Sequence, residues 1–317
     1  MIELILFLSF TAISALSVYF LKEINYRNGI KGKDINKKSK TIIPESAGIF
    51  LLIPLLIGSI YFFNALNYFE IFYWLAAVIL ISLIGLYDDA RNKFLSKPVP
   101  WINRAIPIAV IAFGFPFVLG FDLNLILFSG ILIALFASLQ NTFAGLNGWE
   151  VGSGFINSLF IAFLLWSTPL NLMAIILSAS ILGLLLLNKF PAKVFPGDSG
   201  TLLIGSSMAG LLILNQDIEL MIIGLLLFIP NMIDFFVLKL LTNTLDTSQH
   251  KTKPYALLED GRLAIPSYPD KKTRYDFAKL VLKVFGPLKE WQIVSIIWLA
   301  VILNGLIVLT FFGKIAL

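Results

Sequence analysis

Long runs of apolar residues, separated by short polar segments, dominate this chain. A membrane-spanning helix needs about 20 largely apolar residues, and ten runs meet or approach that length. They are residues 2–21, 45–65, 68–87, 105–120, 123–140, 153–167, 170–188, 199–214, 218–241 and 291–312. The pattern therefore predicts an all-α polytopic membrane protein with about ten transmembrane helices.

Composition supports a bilayer as the solvent of this chain. Of its 317 residues, 58% are hydrophobic and 14% charged, whereas roughly 25% of the residues of soluble proteins are charged. The first run has no basic segment before it and no small-residue cleavage site after it, so we expect a retained span rather than a signal peptide. Because no repeat or linker interrupts the pattern, residues 1–317 are predicted to form a single integral membrane domain.

The basic residues are distributed asymmetrically along the chain. Ten spans place five polar segments on one side of the membrane: residues 22–44, 88–104, 141–152, 189–198 and 242–290. These segments contain every Lys and Arg except Lys239, just before the last of them, and Lys314. The positive-inside rule then predicts that the five segments are cytoplasmic and both termini outside. This asymmetry explains the net charge of +5, so no nucleic-acid partner is expected.

The chain has no Cys and a single His, which excludes disulfides, thiolate metal sites and histidine clusters. Any chemistry must use carboxylates, amides and lysines. The predicted outer turns are only a few residues long, so the function is expected on the cytoplasmic face. In the last polar segment, the Lys-containing apolar stretch 277–285 predicts an amphipathic helix at the membrane interface.

Acidic and amide side chains cluster at predicted cytoplasmic helix ends. Asp88, Asp89 and Asn92 end the third helix, and Lys97 follows. Adjacent carboxylates suit a divalent cation or proton abstraction from a phosphate, although a solvated helix terminus would show the same pattern. Their side chains leave a helix about 100° apart, so one of the pair is expected to face the substrate and the other to support the loop through a basic neighbour.

Two further loops carry candidate metal ligands. A Gly-rich loop at residues 141–154 contains Asn141 and Asn147 and no basic residue; the alternative is a flexible connection. Asp198 precedes an apolar helix, where it could cap the helix or present a carboxylate to a metal. Together with Glu45 and the basic segment 249–254, these residues indicate a magnesium-dependent site for a phosphorylated substrate.

In this order, the polar motifs resemble those of the polyprenyl-phosphate N-acetylhexosamine-1-phosphate transferases, glycosyltransferase family 4. The residues concerned are Gly29, Gly32, Asp34, Asn36 and Lys37; Pro44, Glu45, Ser46 and Gly48; Asp88, Asp89 and Asn92; Asn141, Ala144, Gly145, Asn147, Gly148, Glu150 and Gly152; and Asn188, Pro191, Val194, Phe195, Gly197 and Asp198. Within that family, the chain looks more similar to the eukaryotic and archaeal dolichyl-phosphate N-acetylglucosamine-phosphotransferases than to the bacterial muramoyl-pentapeptide enzymes.

The resemblance implies a reaction and its partners. Dolichyl or another polyprenyl phosphate would attack the β-phosphorus of UDP-N-acetylglucosamine (UDP-GlcNAc), giving GlcNAc-diphospho-lipid and UMP, the first step of lipid-linked oligosaccharide and N-glycan synthesis. The implied cofactor is Mg²⁺, with Mn²⁺ as a substitute, and a homodimer is compatible with the family. The implied location is the plasma membrane of an archaeon or the endoplasmic reticulum membrane of a eukaryote, with a cytoplasmic active site.

The resemblance also implies residue roles. These are magnesium ligands for Asn141 and Asp198; catalytic roles near the lipid phosphate for Asp88, Asp89 and Lys97; nucleoside contacts for Glu45 and Asn147; and further substrate contacts for Asn92, Lys193, His250, Lys251 and Lys253. Within the acidic pair, the family position implies that Asp88 is the residue that faces the lipid phosphate. Two positions depart from the family pattern. Lys97 is one residue closer to the acidic pair than the family lysine, and a His-Lys-Thr-Lys sequence at 250–253 replaces a cluster of Arg-His-Arg type.

Two alternatives stay open at the level of the sequence. A transferase of the same type could use another UDP-sugar. A secondary transporter would need charged residues within the spans, and Asp234 in the ninth run is the main one.

Overall fold

The computed structural model describes residues 2–39, 41–95, 99–242, 254–266 and 275–312, and these are predominantly helical. The helices are α1 (Ile2–Arg27), a 3₁₀ turn (Ala47–Leu51) that runs into α2 (Leu52–Leu66), α3 (Glu70–Leu95), α4 (Trp101–Val118), α5 (Leu123–Thr142), α6 (Trp149–Leu164), α7 (Asn171–Asn188), α8 (Gly197–Leu214), α9 (Ile218–Leu226), α10 (Ile229–Lys239), α11 (Phe277–Phe285) and α12 (Glu290–Phe312). The prediction of an all-α polytopic membrane protein is confirmed.

Each of the ten predicted runs corresponds to helix, but the ten segments are not equivalent. Within the described residues, eight helices are long and apolar enough to cross a membrane. The ninth run is broken into α9 and α10, whose axes differ by 58°. Pro230 lies in the first turn of α10, where its missing N–H and its ring prevent α9 from continuing. The remaining segment, α6, has only 16 residues.

Helix α8 lies at the centre of the bundle, between α3 and α5. In the apolar stretch of α8, 89% of the residues are buried, whereas only 17% are buried in the apolar stretch of α1 at the periphery. Helices α8 and α5 approach each other closely at Gly205 of α8. A methyl group at this position would lie 2.7 Å from the Cα atom of Ala137 in α5, so only glycine fits there. Small residues at a helix interface allow such backbone contact in membrane bundles.

Two short antiparallel hairpins and an amphipathic helix complete the polar end of the bundle. Strands β1 (Lys31–Lys33) and β2 (Ile42–Pro44) pair between α1 and α2, and β3 (Ala256–Leu257) pairs with β4 (Leu263–Ala264). The predicted amphipathic helix is confirmed as α11, which is capped by Asp276 through the backbone N–H of Lys279 at 2.8 Å. The buried Tyr255 hydroxyl donates to Asp276 at 3.0 Å, and burial raises the pKa of Tyr255 well above its usual value.

Candidate functional site

The predicted polar loops converge on one cavity of about 240 Å³ at this end of the bundle. Its walls come from the ends of α5 and β2 and the starts of α6 and α8. The lining residues are Glu45, Asn141, Ala144, Gly145, Leu146, Asn147, Glu150, Phe195, Pro196, Gly197, Asp198 and Thr201. Four predicted site residues far apart in sequence, Glu45, Asn141, Asn147 and Asp198, therefore share one cavity.

Asn141 and Asp198 are brought together by a residue that sequence reasoning missed. Thr201 follows Asp198 by three positions and so lies on the same face of α8. Its hydroxyl donates to Oδ1 of Asn141 at 2.5 Å, which ties the last turn of α5 to the first turn of α8. The spacing of three between Asp198 and Thr201 is the sequence signal that could have identified Thr201.

Asp89 binds the first turn of α8 from the neighbouring helix α3. Its carboxylate accepts from the backbone N–H groups of Asp198 at 3.1 Å and Ser199 at 3.2 Å, and from the hydroxyl of Ser46 at 2.7 Å. The start of a helix has unpaired N–H groups and a partial positive charge, which a carboxylate satisfies. Gly85, one turn earlier on α3, makes this approach possible, since a methyl group there would lie 2.6 Å from the carbonyl carbon of Asp198.

Of the acidic pair, Asp88 is the carboxylate that a basic side chain holds. This supporting role was expected for Asp89. Arg104 of α4 pairs with Asp88 and, through the same Nη1 atom, with Oδ2 of Asp198 at 2.7 Å. Oδ1 of Asp88 accepts from the backbone N–H of Val99 at 2.8 Å. Arg104 is not among the site residues predicted from the sequence, although an arginine in the first turn of an apolar helix is a signal for such a role.

The remaining predicted residues fall into three groups. Glu45 lines the cavity and pairs with Lys93 of α3. Asn92 and Lys193 are described but exposed, and neither lines the cavity. Lys97, His250, Lys251 and Lys253 lie outside the described residues, so their predicted roles stay predictions.

Asp234 is the charged residue within a predicted span on which the transporter alternative depends. In the structure it has partners from the protein itself. It is fully buried in α10, pairs with Lys239 at 2.7 Å and accepts from the backbone N–H of Phe277 at 2.7 Å. The ammonium group of Lys239 also donates to the carbonyl of Thr142. This pair joins α10, α11 and the end of α5, so a structural role explains the charge without a transport path.

The donor set of the cavity fits a hard cation that shares its coordination with a substrate. No group of three or more Asp, Glu, His or Cys residues capable of holding a metal occurs in the part of the chain that the structure describes. Mg²⁺, however, commonly binds one or two protein oxygens and completes its shell with water and substrate phosphates. Asp198 offers a carboxylate that is 30% exposed, and Asn141 offers an amide oxygen with a second lone pair.

Other lining groups suit an organic ligand. Phe195 contributes an aromatic side chain to the cavity wall, and Gly145 lines the same cavity. Oε2 of Glu150 is buried and has no hydrogen-bond partner among the described residues, so it can accept from a ligand hydroxyl or amide. The cavity therefore combines candidate cation ligands with an aromatic side chain and an acceptor that has no partner among the described residues.

The fold and the site define a polytopic integral membrane protein whose polar residues meet in a cavity at one end of an apolar helix bundle. The sequence profile of glycosyl transferase family 4 matches residues 71–216, a range that contains Asp88, Asp89, Asn141, Asn147 and Asp198.

Full-length relatives extend this similarity over most of the chain. A provisionally named glycosyltransferase of Methanocaldococcus jannaschii is 34% identical, covering 90% of this chain and 88% of the relative. A provisionally named UDP-N-acetylglucosamine–dolichyl-phosphate N-acetylglucosaminephosphotransferase of Saccharolobus solfataricus is also 34% identical, over 84% of this chain and 83% of the relative. A phospho-N-acetylmuramoyl-pentapeptide-transferase of Shouchella clausii is 30% identical, over 69% and 76%. The chain belongs to glycosyl transferase family 4.

Proposed function

We propose that this membrane enzyme transfers N-acetylglucosamine 1-phosphate from UDP-GlcNAc to dolichyl or another polyprenyl phosphate. The products are GlcNAc-diphospho-lipid and UMP, and the reaction depends on Mg²⁺. The observation that carries the proposal is the shared cavity of Asn141, Asp198, Glu45, Asn147 and Phe195. The names of the archaeal relatives support this donor and acceptor.

The residues of the cavity divide between the two ends of a sugar nucleotide. Asp198 and Asn141 would hold Mg²⁺, which neutralises the diphosphate and the charge that develops on the leaving UMP. Phe195 and Asn147 offer a ring surface and an amide to the nucleobase, while Glu150 offers a buried acceptor to a hydroxyl or amide of the ligand. An oxygen of the lipid phosphate attacks the β-phosphorus, and the bond from that phosphorus to the UMP oxygen breaks.

The acceptor is expected beside the acidic pair at the inner ends of α3 and α4. Phe94 and Leu95 are 63% and 61% exposed at the end of α3, and Trp101 is 71% exposed at the start of α4. Such exposed apolar side chains at a helix end suit the membrane interface, where an isoprenoid tail can lie against them. Asp88 and Asp89, a turn or two away, hold Arg104 and the first turn of α8, so we expect them to help orient the lipid phosphate through these contacts rather than to take its proton.

We also propose that the end of the bundle with the cavity faces the cytoplasm. Every described basic residue of α1, α3, α4 and the two hairpins lies at the same end of the bundle as the cavity. The positive-inside rule assigns that end to the cytoplasm, where UDP-sugars are available.

A product assay tests the function. The purified full-length protein would be incubated with Mg²⁺, a polyprenyl phosphate and either UDP-GlcNAc, UDP-N-acetylgalactosamine or UDP-N-acetylmuramoyl-pentapeptide, and the lipid product identified by mass spectrometry. GlcNAc-diphospho-lipid formed from UDP-GlcNAc is the expected result. A product from only one of the other donors would change the assigned substrate, and no lipid product from any donor would refute the proposal.

A further inference from the structure

Asn147 is held in the cavity wall by two carboxylates from distant parts of the chain. Its side-chain Nδ2 donates to Oδ2 of Asp34 at 2.9 Å, and its backbone N–H donates to Oε1 of Glu290 at 2.7 Å. Asn147 is 5% exposed and Asp34 4%, so water does not easily replace these contacts. Neither acid lines the cavity, so both act on it through Asn147.

The contact with Asp34 fixes the direction of the Asn147 amide. An ionised carboxylate only accepts hydrogen bonds, so the NH₂ group of Asn147 must face Asp34 and the carbonyl oxygen must point elsewhere. Lys37 pairs with the same carboxylate oxygen and balances its charge. No donor to Oδ1 of Asn147 occurs among the described residues, which leaves this oxygen as an acceptor for a ligand.

We propose that Asp34 is a specificity-determining positioning residue that makes the site select a nucleobase with a ring N–H donor. Uracil presents such an N–H between its two carbonyl groups, whereas cytosine has an unprotonated acceptor nitrogen at that position. An amide whose NH₂ group is held by Asp34 can offer a ligand only its oxygen, which pairs with uracil and opposes cytosine. A buried polar group without a partner is costly. This inference rests on the proposed use of a UDP-sugar.

Asp34→Asn tests the inference without changing the volume of the side chain. The introduced amide could either accept from the NH₂ group of Asn147 or donate to its carbonyl oxygen, so the Asn147 amide becomes free to turn over. UDP and CDP would be titrated separately into the full-length protein with Mg²⁺ in detergent, using calorimetry. We expect the unaltered protein to bind UDP at least about tenfold more tightly than CDP, and Asp34→Asn to reduce this ratio to about threefold or less.

Glu290→Gln is the matched control. It also replaces a carboxylate that contacts Asn147 by an amide, but it touches only the backbone N–H and retains an acceptor oxygen for it. We expect affinity for both nucleotides to change together, so that the ratio stays as in the unaltered protein.

Exchange of the two side chains provides a second variant. When Asp34→Asn is combined with Asn147→Asp, the NH₂ group now at position 34 donates to the carboxylate now at position 147, which again presents only an acceptor to the cavity. We expect the preference for UDP to return toward the unaltered ratio, and this variant keeps the assignment testable even if Asp34→Asn alone does not fold.

The outcomes separate this inference from the proposed function. If the unaltered protein binds neither UDP nor CDP, the proposed function fails and the inference fails with it. If it prefers UDP but Asp34→Asn keeps the same ratio, or the exchanged pair loses it, only the role of Asp34 is overturned.

Discussion

Asp198 stands in the first turn of α8 with a partly exposed carboxylate, while Asp89 supplies the hydrogen bonds that this turn needs. Asp89 therefore satisfies the helix start and leaves the carboxylate of Asp198 available for the proposed cation. Thr201 adds the link to Asn141, so the candidate cation ligands are set by contacts on a single face of α8. Because Asp89 and not Asp198 binds the helix start, the proposed ligand role of Asp198 can be tested with little effect on folding.

Asp198→Ala should abolish magnesium-dependent turnover in a protein that still folds. Loss of a charged ligand removes several kcal/mol of transition-state stabilisation, which corresponds to at least about a hundredfold in rate. The capping contacts of Asp89 go to backbone atoms and survive the substitution. Product formation would be measured beside Asp260→Ala, which removes an exposed acid of the β3–β4 turn that pairs with Arg262. Turnover of Asp198→Ala close to that of Asp260→Ala would remove Asp198 from the metal site.

At the scale of elements, the sequence predicts helices well because each depends on its own run of apolar residues. All ten runs are helical, and α11 has the predicted bounds of 277–285. The break between α9 and α10 was missed, although Pro230 marks it. Contacts such as Arg104 to Asp198 or Asp34 to Asn147 join residues about a hundred positions apart, and no local pattern encodes such a pair.

The Asp234–Lys239 pair of α10 yields a prediction about this broken element. Lys239→Met leaves a fully buried carboxylate without its counter-charge, which should cost about 3–5 kcal/mol of stability. Asp234→Asn together with Lys239→Met removes both charges and keeps an acceptor for the N–H of Phe277, so most of that loss should be recovered. The stabilities of the single and the double variant would be compared by thermal unfolding in detergent, monitored by tryptophan fluorescence. Equal destabilisation of the single and the double variant would show that the ion pair does not act as a unit.

On the scale of the whole molecule, every predicted site residue that lines the cavity comes from the end of the bundle that holds the hairpins and α11. Among the described residues, the helices are joined at the opposite end by short turns, such as the one at Ser167 between α6 and α7. The proposed meeting of a nucleotide substrate and a lipid acceptor is therefore assigned to the polar end.

Cysteine labelling tests which side of the membrane this end faces. The chain has no cysteine, so single cysteines at exposed Ser39 and Asp260 report on the cavity end, and one at Ser167 reports on the opposite end. We expect a membrane-impermeant maleimide added to intact cells to label only Ser167→Cys, because the positive-inside rule places the other two in the cytoplasm. Permeabilised cells, in which all three should react, serve as the control. Labelling of Ser39→Cys and Asp260→Cys but not Ser167→Cys in intact cells would reverse the topology.

The path of the β-phosphorus of the donor tests the central claim most directly. UDP-GlcNAc carrying ³²P in its β-phosphate would be incubated with the protein, Mg²⁺ and polyprenyl phosphate, and lipid and aqueous fractions would be counted. Transfer of the sugar phosphate predicts that the label enters the lipid in equal amount to GlcNAc, while unlabelled UMP is released. Label that stays in the aqueous fraction as UDP while GlcNAc enters the lipid would show transfer of the sugar alone and contradict the account.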